Sequence, residues 1–349
     1  AINPSETEIM KNILIIFPNK LGDLVLSIPF VKALQKEYPA SRIGAVVLEN
    51  FAEVTELIPE IQYTYKFSKK NHKGLAGKVR FARSILKDKR YDICFCLPNS
   101  FSAALISYLT GSHKRIGFRS EMRSLFLTHV YDLPEKGIHS AQDALQLLEK
   151  YTGREQPSIP VELKPEAEVI TEKLPKGRFL VFNGNSAKQS TRIPAEKAAE
   201  LIEAILKQFE CSIVMVGSPM EYDDVQSIID RVGKPEQVVN FAGIGIVKTA
   251  AAMRAAGVLV STDTGIGHLG NVVGAKTIVI FGASNENIAR PWNTENLRII
   301  RNPDLDCAPC LEHFCKYGEP KCLTELNNQI LLEVIAEWTN IPEKTSYLG

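Results

Sequence analysis

The first candidate for chemistry in this chain is Asp23, which follows the short apolar run of residues 12–17. A carboxylate in the turn after a strand can act as a general base and take a proton from a hydroxyl nucleophile. The same residue can also cap the helix predicted at residues 24–36, because aspartate accepts the free N–H groups of a helix start. The sequence leaves both roles open.

A second candidate is the polar turn that contains Asp263, Thr264 and Gly265 and leads to His268. It follows an apolar, β-branched run and precedes a segment of small residues, which predicts a strand, a turn and a helix. The free N–H groups of a helix start favour a phosphate, and glycine lets the backbone come close to it. A purely structural turn is the alternative, and His268 either donates to the phosphate or satisfies a backbone carbonyl.

Two further strand-to-helix turns carry polar groups of a suitable type. Residues 184–192 combine hydroxyl groups with Lys188 and Arg192. This combination suits a diphosphate, although a solvated loop has the same composition. Glu221 follows the next predicted strand, where a carboxylate can accept hydrogen bonds from ribose hydroxyls. Its alternative role is to complement the dipole of the helix that follows.

Four of the seven cysteines are clustered near the end of the chain, at Cys307, Cys310, Cys315 and Cys322. Four sulfur atoms can make a tetrahedral zinc or iron site, so a structural metal is one interpretation. The spacing is irregular for a common zinc ribbon, and reduced thiols in a compact loop are the alternative. Local disulfides are disfavoured in a reducing cytosol.

The candidate turns are positioned by an alternation of apolar runs and helical patterns. Strands and helices alternate over residues 12–151 and again from residue 179, which predicts two α/β domains with doubly wound parallel sheets. Ligands bind outside the carboxyl ends of the strands in such sheets. We therefore expect the candidate turns of the two domains to face each other across a cleft.

The predicted domain boundaries follow from local composition. Residues 153–165 contain three prolines and interrupt the alternation, which indicates a linker. The predicted domains are an N-terminal domain at 10–160 and a C-terminal domain at 166–325, followed by an amphipathic helix within 326–349. Residues 1–9 are polar and patternless, and we interpret them as an expression remnant without a role in the fold.

Charge and hydropathy exclude several classes of protein. The 349 residues carry a formal net charge of +1, without a long basic block, so nucleic acid is not an expected partner. The chain contains no apolar run of transmembrane length and no leader with a basic start and an apolar core. The expected location is the cytoplasm.

Short segments spread over nearly the whole chain also form a family pattern. They are residues 13–17 with Gly22-Asp23, residues 27–29, residues 91–105, residues 117–123, Gly217-Ser218, residues 263–265 with His268, and the cysteine segment up to residue 323. In this order and spacing they resemble the lipopolysaccharide heptosyltransferases of glycosyltransferase family nine. The resemblance is closest to the heptosyltransferase II branch.

This resemblance implies a GT-B fold, in which two Rossmann-like domains face each other across a cleft and the C-terminal helix packs back on the first domain. The implied reaction is the inverting, metal-independent transfer of a heptose from ADP-L-glycero-β-D-manno-heptose to a sugar hydroxyl of the lipopolysaccharide inner core. It requires no cofactor. With such an acceptor, a cytoplasmic enzyme is expected to make transient contact with the inner face of the cytoplasmic membrane.

The resemblance also implies roles for individual residues. Asp23 matches the family's general base, which favours that role over the N-cap. The expected donor contacts are Glu221 at the ribose, Ile244 at the base, Lys188 and Arg192 at the diphosphate, and the loop residues Asp263, Thr264, Gly265 and His268. The acceptor is expected near Asn99, Arg119 and Arg123.

One departure from the family pattern concerns the phosphate-binding loop. Where the family usually has a Lys-Arg-Trp-Pro-like run, this chain has Thr191-Arg192-Ile193-Pro194. The usual lysine is absent from its place, and Lys188 or Arg192 is expected to substitute for it. Two rival functions follow: a nucleotide-sugar epimerase of the same fold, and a non-catalytic protein that binds a nucleotide.

Overall fold

The computed structural model describes residues 10–166, 169–170 and 174–344. The expectations for residues 1–9 and for the last five residues of the chain lie outside this part. The chain divides into two compact units between Val161 and Glu162. No helix among the described residues is long and apolar enough to span a bilayer.

The first unit is built on a six-stranded parallel sheet with the order β3-β2-β1-β4-β5-β6. Strand β1 is buried along almost its whole length, as expected for a strand covered on both faces. The strands are β1 (Asn12–Ile16), β2 (Arg42–Leu48), β3 (Ile61–Phe67), β4 (Ile93–Cys96), β5 (Lys114–Phe118) and β6 (His129–Tyr131).

Helices and short 3₁₀ turns connect these strands. The helices are α1 (Leu21–Leu26), α2 (Ile28–Glu37), α3 (Gly74–Asp88), α4 (Phe101–Leu109) and α5 (Ser140–Thr152), and the 3₁₀ segments are Glu49–Leu57 and Glu121–Phe126. The single helix expected at residues 24–36 is two helices that meet at Ser27, whose hydroxyl donates to the Asp23 carbonyl (2.7 Å). Pro29 lies in the first turn of the second helix, a position that proline tolerates.

The second unit repeats the same architecture with a six-stranded parallel sheet of order β12-β11-β10-β7-β8-β9. Its strands are β7 (Phe179–Asn183), β8 (Ser212–Met215), β9 (Val238–Asn240), β10 (Val258–Thr262), β11 (Lys276–Phe281) and β12 (Leu297–Arg301). Its helices are α6 (Ala195–Gln208), α7 (Tyr222–Ile229), α8 (Ile246–Ala256), α9 (Gly265–Val272), α10 (Glu286–Ala289), α11 (Lys321–Thr324) and α12 (Asn328–Trp338). The prediction of two doubly wound α/β sheets is confirmed.

The C-terminal helix α12 contributes to the core of the second unit. Its buried side chains, Leu331, Leu332 and Ile335, belong to the apolar core of the second unit. The Lys197 ammonium on α6 also donates to the Asn328 side-chain oxygen at the start of the helix (2.7 Å). The apolar face of α12 is therefore buried against α6 and its neighbours.

Candidate functional site

The first sheet changes direction between β1 and β4, which are adjacent although β2 and β3 separate them in sequence. Such a switch point opens a crevice at the carboxyl ends of the strands and is the usual ligand position in doubly wound sheets. Asp23 follows β1 and Asn99 follows β4, so both residues lie in segments that leave this edge.

Asp23 lies in the first turn of α1 and is exposed. Lys20 occupies the N-cap position of this helix, so the N-cap role considered for Asp23 is wrong. Asp143 on α5 lies close enough to sense its charge. Partial burial, with the Asp23 charge as the second cause, raises the pKa of the Asp143 carboxyl to about 6, although part of that side chain is exposed.

Arg123 is a fully buried cation at the same edge. Its guanidinium donates to the Asn99 side-chain oxygen (2.8 Å) and to the Cys96 carbonyl (3.1 Å). Gly117 makes room for it, since a Cβ there would lie 2.7 Å from Nη2. In the structure these two bonds tie the guanidinium to the end of β4 and to the Asn99 loop.

Arg119, the third residue expected near the acceptor, is mostly exposed. Its Nε donates to Asp132 (2.9 Å), whose side chain is also exposed. An ion pair between two exposed groups is weak. Arg119 is therefore available to an anionic ligand at little cost.

A small pocket of about 40 Å³ opens at the carboxyl end of β1, between the two loops of the switch point. Phe17, Leu48 and Pro98 give it apolar walls, and Asn19 and Ser102 contribute polar groups at its edge. The pocket has room for a few water-sized groups, such as the hydroxyls of a sugar, and its polar edge can fix them.

The second sheet has its switch point between β7 and β10, and the Asn183 side chain bridges it. This buried amide donates to the Thr264 hydroxyl (3.0 Å), to the Ser261 hydroxyl (3.3 Å) and weakly to the Asn185 carbonyl (3.4 Å). Thr264 is the N-cap of α9 but its side chain does not cap the helix. The first N–H groups of α9 thus remain free of side-chain caps at the switch point.

Asp263 and His268 flank this helix start. Asp263 is half-buried between β10 and α9. His268 lies one turn into α9 with its side chain buried, and its backbone N–H donates to the Thr264 carbonyl (3.4 Å). The structure thus places the four predicted donor-loop residues in one short segment at the edge of the sheet.

The loop after β7 brings two cations to the same edge. The Arg192 Nε donates to the Ser186 carbonyl (2.9 Å), and its guanidinium makes a long ion pair with Asp224 (3.9 Å). The Lys188 ammonium makes neither a hydrogen bond nor an ion pair with any described residue. Lys188 is therefore the less committed of the two cations.

Asn185 in this loop was missed by the sequence reasoning. It is buried, and its amide nitrogen lacks a hydrogen-bond partner among the described residues. This nitrogen points towards Gly217, in the loop after β8. A buried donor without an acceptor is costly, and a ligand oxygen at this edge would satisfy it.

The loops after β8 and β9 complete the edge. The Glu221 carboxylate accepts from the Ser218 backbone N–H (2.7 Å) in a capping box, so part of this group serves the local helix start. Gly243 donates to the Gly217 carbonyl (2.9 Å), which ties the two loops together. Gly243 and Gly245 both have positive φ and present the half-buried Ile244 between them.

The cysteine segment does not form the metal site that was one interpretation of it. The described residues contain no group of three or more histidine, cysteine, aspartate or glutamate side chains that could hold a metal ion. Burial is the main cause that raises the pKa of Cys322 to about 11, and the neighbouring thiols are the second cause. Cys322 is buried, whereas Cys310 is exposed. The reading as reduced thiols fits this arrangement.

The cysteine segment instead packs against the loop after β7. The Ser190 backbone N–H donates to the His313 carbonyl (3.2 Å). The Gln189 side chain donates to the Gly318 carbonyl (2.5 Å) and accepts from the Cys315 backbone N–H (3.0 Å). The segment therefore supports the loop that carries Lys188.

Comparison with known proteins identifies the family to which this architecture belongs. Residues 79–320 match the family model of glycosyltransferase family 9 (heptosyltransferase), which covers more than half of the chain. The chain belongs to glycosyltransferase family 9. The expectation drawn from the sequence resemblance is thereby confirmed.

Individual members of glycosyltransferase family 9 match over most of their length. The chain is 26% identical to lipopolysaccharide heptosyltransferase 2 of Escherichia coli, over 83% of this chain and 87% of that protein. It is 22% identical to lipopolysaccharide heptosyltransferase 1 of Pseudomonas aeruginosa, over 91% and 95% of the two chains. The solved structure of E. coli ADP-heptose lipopolysaccharide heptosyltransferase II has the same fold, with a TM-score of 0.79, 20% identity and coverage of 93% and 97%.

Proposed function

We propose that this family 9 glycosyltransferase transfers a heptose from ADP-L-glycero-β-D-manno-heptose to a sugar hydroxyl of the lipopolysaccharide inner core, with inversion and without a metal. The proposed donor site rests on the hydrogen bond from the Asn183 side chain to the Thr264 hydroxyl. With Thr264 held in this way, the first N–H groups of α9 have no side-chain cap at the switch point of the second sheet. The activities named for the similar heptosyltransferases support the choice of sugar.

The donor diphosphate is proposed to lie at the start of α9. Thr264, Gly265 and the backbone N–H groups that follow would bind it with the favourable end of the helix dipole. Lys188 would supply the positive charge that the family usually has on a lysine elsewhere in this loop. Its ammonium is suited to this role because it makes neither a hydrogen bond nor an ion pair with a described residue. Asn185 would give its unused N–H to a phosphate or ribose oxygen.

The nucleoside is proposed to extend towards β8 and β9. Ile244 would contact the base, because its side chain is half-buried between two glycines at that end of the sheet. Glu221 would accept from a ribose hydroxyl with the oxygen that the capping box does not use. Asp263 and His268 would complete the donor-binding loop at the start of α9. Arg192 would support the loop after β7 through its hydrogen bond to the Ser186 carbonyl.

The acceptor is proposed to bind at the switch point of the first sheet. Asp23 is exposed there and would take the proton from the acceptor hydroxyl as it attacks the anomeric carbon opposite the leaving ADP. Asn99 and Arg119 would orient the acceptor. Arg123 is assigned a positioning role, because its buried guanidinium holds Asn99 rather than facing solvent.

The leaving ADP carries the charge that develops as the bond to the sugar breaks. The fixed N–H groups of α9 and the Lys188 ammonium would stabilise that charge without having to reorganise. Such groups act on the transition state as well as on the ground state, so loss of the Lys188 charge is expected to reduce the rate of transfer as well as donor binding.

Two measurements test this proposal. Calorimetry with ADP, UDP and GDP should show clear preference for ADP, and preference for UDP would overturn the assigned donor. Incubation of ADP-heptose with and without a lipopolysaccharide core acceptor separates the rival functions. Consumption that depends on the acceptor supports transfer, conversion without acceptor indicates an epimerase, and binding without turnover indicates a non-catalytic protein.

A further inference from the structure

The first unit has an exposed apolar groove beside the acceptor edge. The groove is lined by Leu75, Lys78, Phe101, Ser102, Leu105 and Phe126, and its volume is about 470 Å³. Leu75 is 63% exposed and Phe101 is 42% exposed. The groove thus lies between the start of α3, the start of α4 and the 3₁₀ segment Glu121–Phe126.

The 3₁₀ segment that ends at Phe126 carries two more exposed apolar side chains. Met122 is 68% exposed and Leu125 is 73% exposed. The Phe101 and Phe126 rings pack edge to face in the groove wall, with their centroids 5.1 Å apart. Apolar side chains exposed together on one face usually mark an interaction site.

The chain segment that contributes Leu75 and Lys78 to the groove is strongly basic. Residues 66–83 contain seven lysines and arginines and no acidic residue, in a chain whose net charge is only +1. None of the seven forms an ion pair with a described residue, and all but Lys78 are exposed. We call these seven residues the basic rim: Lys66, Lys69, Lys70, Lys73, Lys78, Arg80 and Arg83.

We propose that the groove and the basic rim dock the first unit on the surface of an anionic lipid bilayer. This inference rests on the proposed function, since a lipid-anchored acceptor must be reached at a membrane. Anionic headgroups attract uncompensated lysines and arginines, while exposed leucine, methionine and phenylalanine side chains enter the headgroup boundary.

The position of the groove fits this role. Ser102 lines both the groove and the small pocket at the end of β1, so the docking surface is continuous with the proposed acceptor site. A sugar that projects from the headgroup layer would therefore meet the edge that carries Asp23. A second copy of the chain is a poor occupant, because a symmetric contact would bring two basic rims together.

The test uses the full chain and two kinds of vesicle, one of phosphatidylcholine alone and one that also contains phosphatidylglycerol. The wild type should co-sediment with the anionic vesicles, and the binding should weaken as salt is raised. Reversal of three rim charges in Lys69→Glu, Lys70→Glu and Lys73→Glu should reduce this binding by about 100-fold or more. Leu75→Ser, in the groove, should weaken it without changing the salt dependence.

A matched control reverses three exposed lysines of the second unit, Lys176→Glu, Lys207→Glu and Lys234→Glu. It has the same change in net charge and should keep vesicle binding. Equal binding to both kinds of vesicle, unchanged binding of the rim variant, or equal loss in the control would overturn the proposal.

The same proteins separate this proposal from the proposed function. The rim variant should bind ADP and transfer heptose to a delipidated, soluble acceptor as the wild type does, because its changed residues lie outside the site. If wild-type protein binds anionic vesicles but neither binds ADP nor transfers heptose, the proposed function fails while the docking surface stands.

Discussion

Substitution of Asn183 by alanine tests how the second sheet holds its switch point open for a ligand. Asn183 is 2% exposed, and its amide donates to Thr264 and Ser261 across the junction of β7 and β10. Alanine removes both bonds and leaves the hydroxyls without that donor. The third contact, to the Asn185 carbonyl at 3.4 Å, is too long to contribute much.

The size of the effect follows from these two bonds. Each is worth about 1 kcal/mol, so the second unit should lose about 2 kcal/mol of unfolding free energy. For a unit of this size that corresponds to a fall in Tm of about 4–8 °C. Affinity for ADP should fall as well, because Thr264 and the start of α9 lose the contact that fixes them.

Asn185→Ala is the matched control for stability. It removes an amide whose nitrogen has no partner, so Tm should stay constant or rise slightly. If that nitrogen meets a ligand oxygen, ADP affinity should still fall by about tenfold. The assay is calorimetric unfolding and ADP titration of both variants. A Tm change below about 1 °C in Asn183→Ala would refute the reasoning about the bridge.

Two further predictions concern Asp143 and Gly270. Because the pKa of Asp143 is raised, the folded state binds this proton more tightly than the unfolded state does. The free energy of unfolding should therefore fall as the pH rises from about 4 to about 6. Asp143→Asn should flatten that part of the pH–stability profile. Gly270→Ala should destabilise the second unit by about 1–3 kcal/mol, because its Cβ would lie 2.3 Å from Leu259. The control is Gly267→Ala, whose Cβ would meet no atom closer than 3.5 Å. Urea unfolding should show a lower free energy of unfolding for the first variant and not for the second.

The sheets could be predicted from the sequence, apart from two edge strands. Buried parallel strands read as continuous apolar runs, and β1 and β10 are of this kind. Strands β6 and β12 give only a weak sequence pattern, because β6 has three residues and β12 is half-exposed with an arginine on each side of its isoleucine pair. Edge strands need fewer apolar side chains, so their pattern is weak.

The site could be predicted where residue type and position agree. Asp23, Thr264 and Gly265 lie at the starts of helices that follow buried strands, which is enough to place them at the carboxyl edges of the two sheets. Asn183 and Asn185 were missed because their roles depend on which strands are neighbours, and strand order is not visible in a local pattern. The signal that could have indicated Asn183 is a polar residue at the end of an otherwise apolar strand.

The roles of three cations could not be predicted from the sequence either. Arg123 looks like a surface residue in a polar turn, yet Gly117 makes the space that buries its guanidinium. Lys188 and Arg192 look equivalent in the sequence of the loop. In the structure only the Arg192 side chain donates to a backbone carbonyl of that loop, the carbonyl of Ser186. Both differences are properties of packing between segments that are distant in sequence.

The measurement that tests the central claim most directly is heptose transfer by the Asp23→Asn variant, with ADP-heptose binding measured separately on the same protein. Asparagine keeps the size of the side chain but cannot accept the acceptor's proton. The proposed mechanism predicts that donor affinity stays at the wild-type level while transfer falls by about 100-fold or more. Wild-type turnover in this variant would contradict the assignment of Asp23 as the general base.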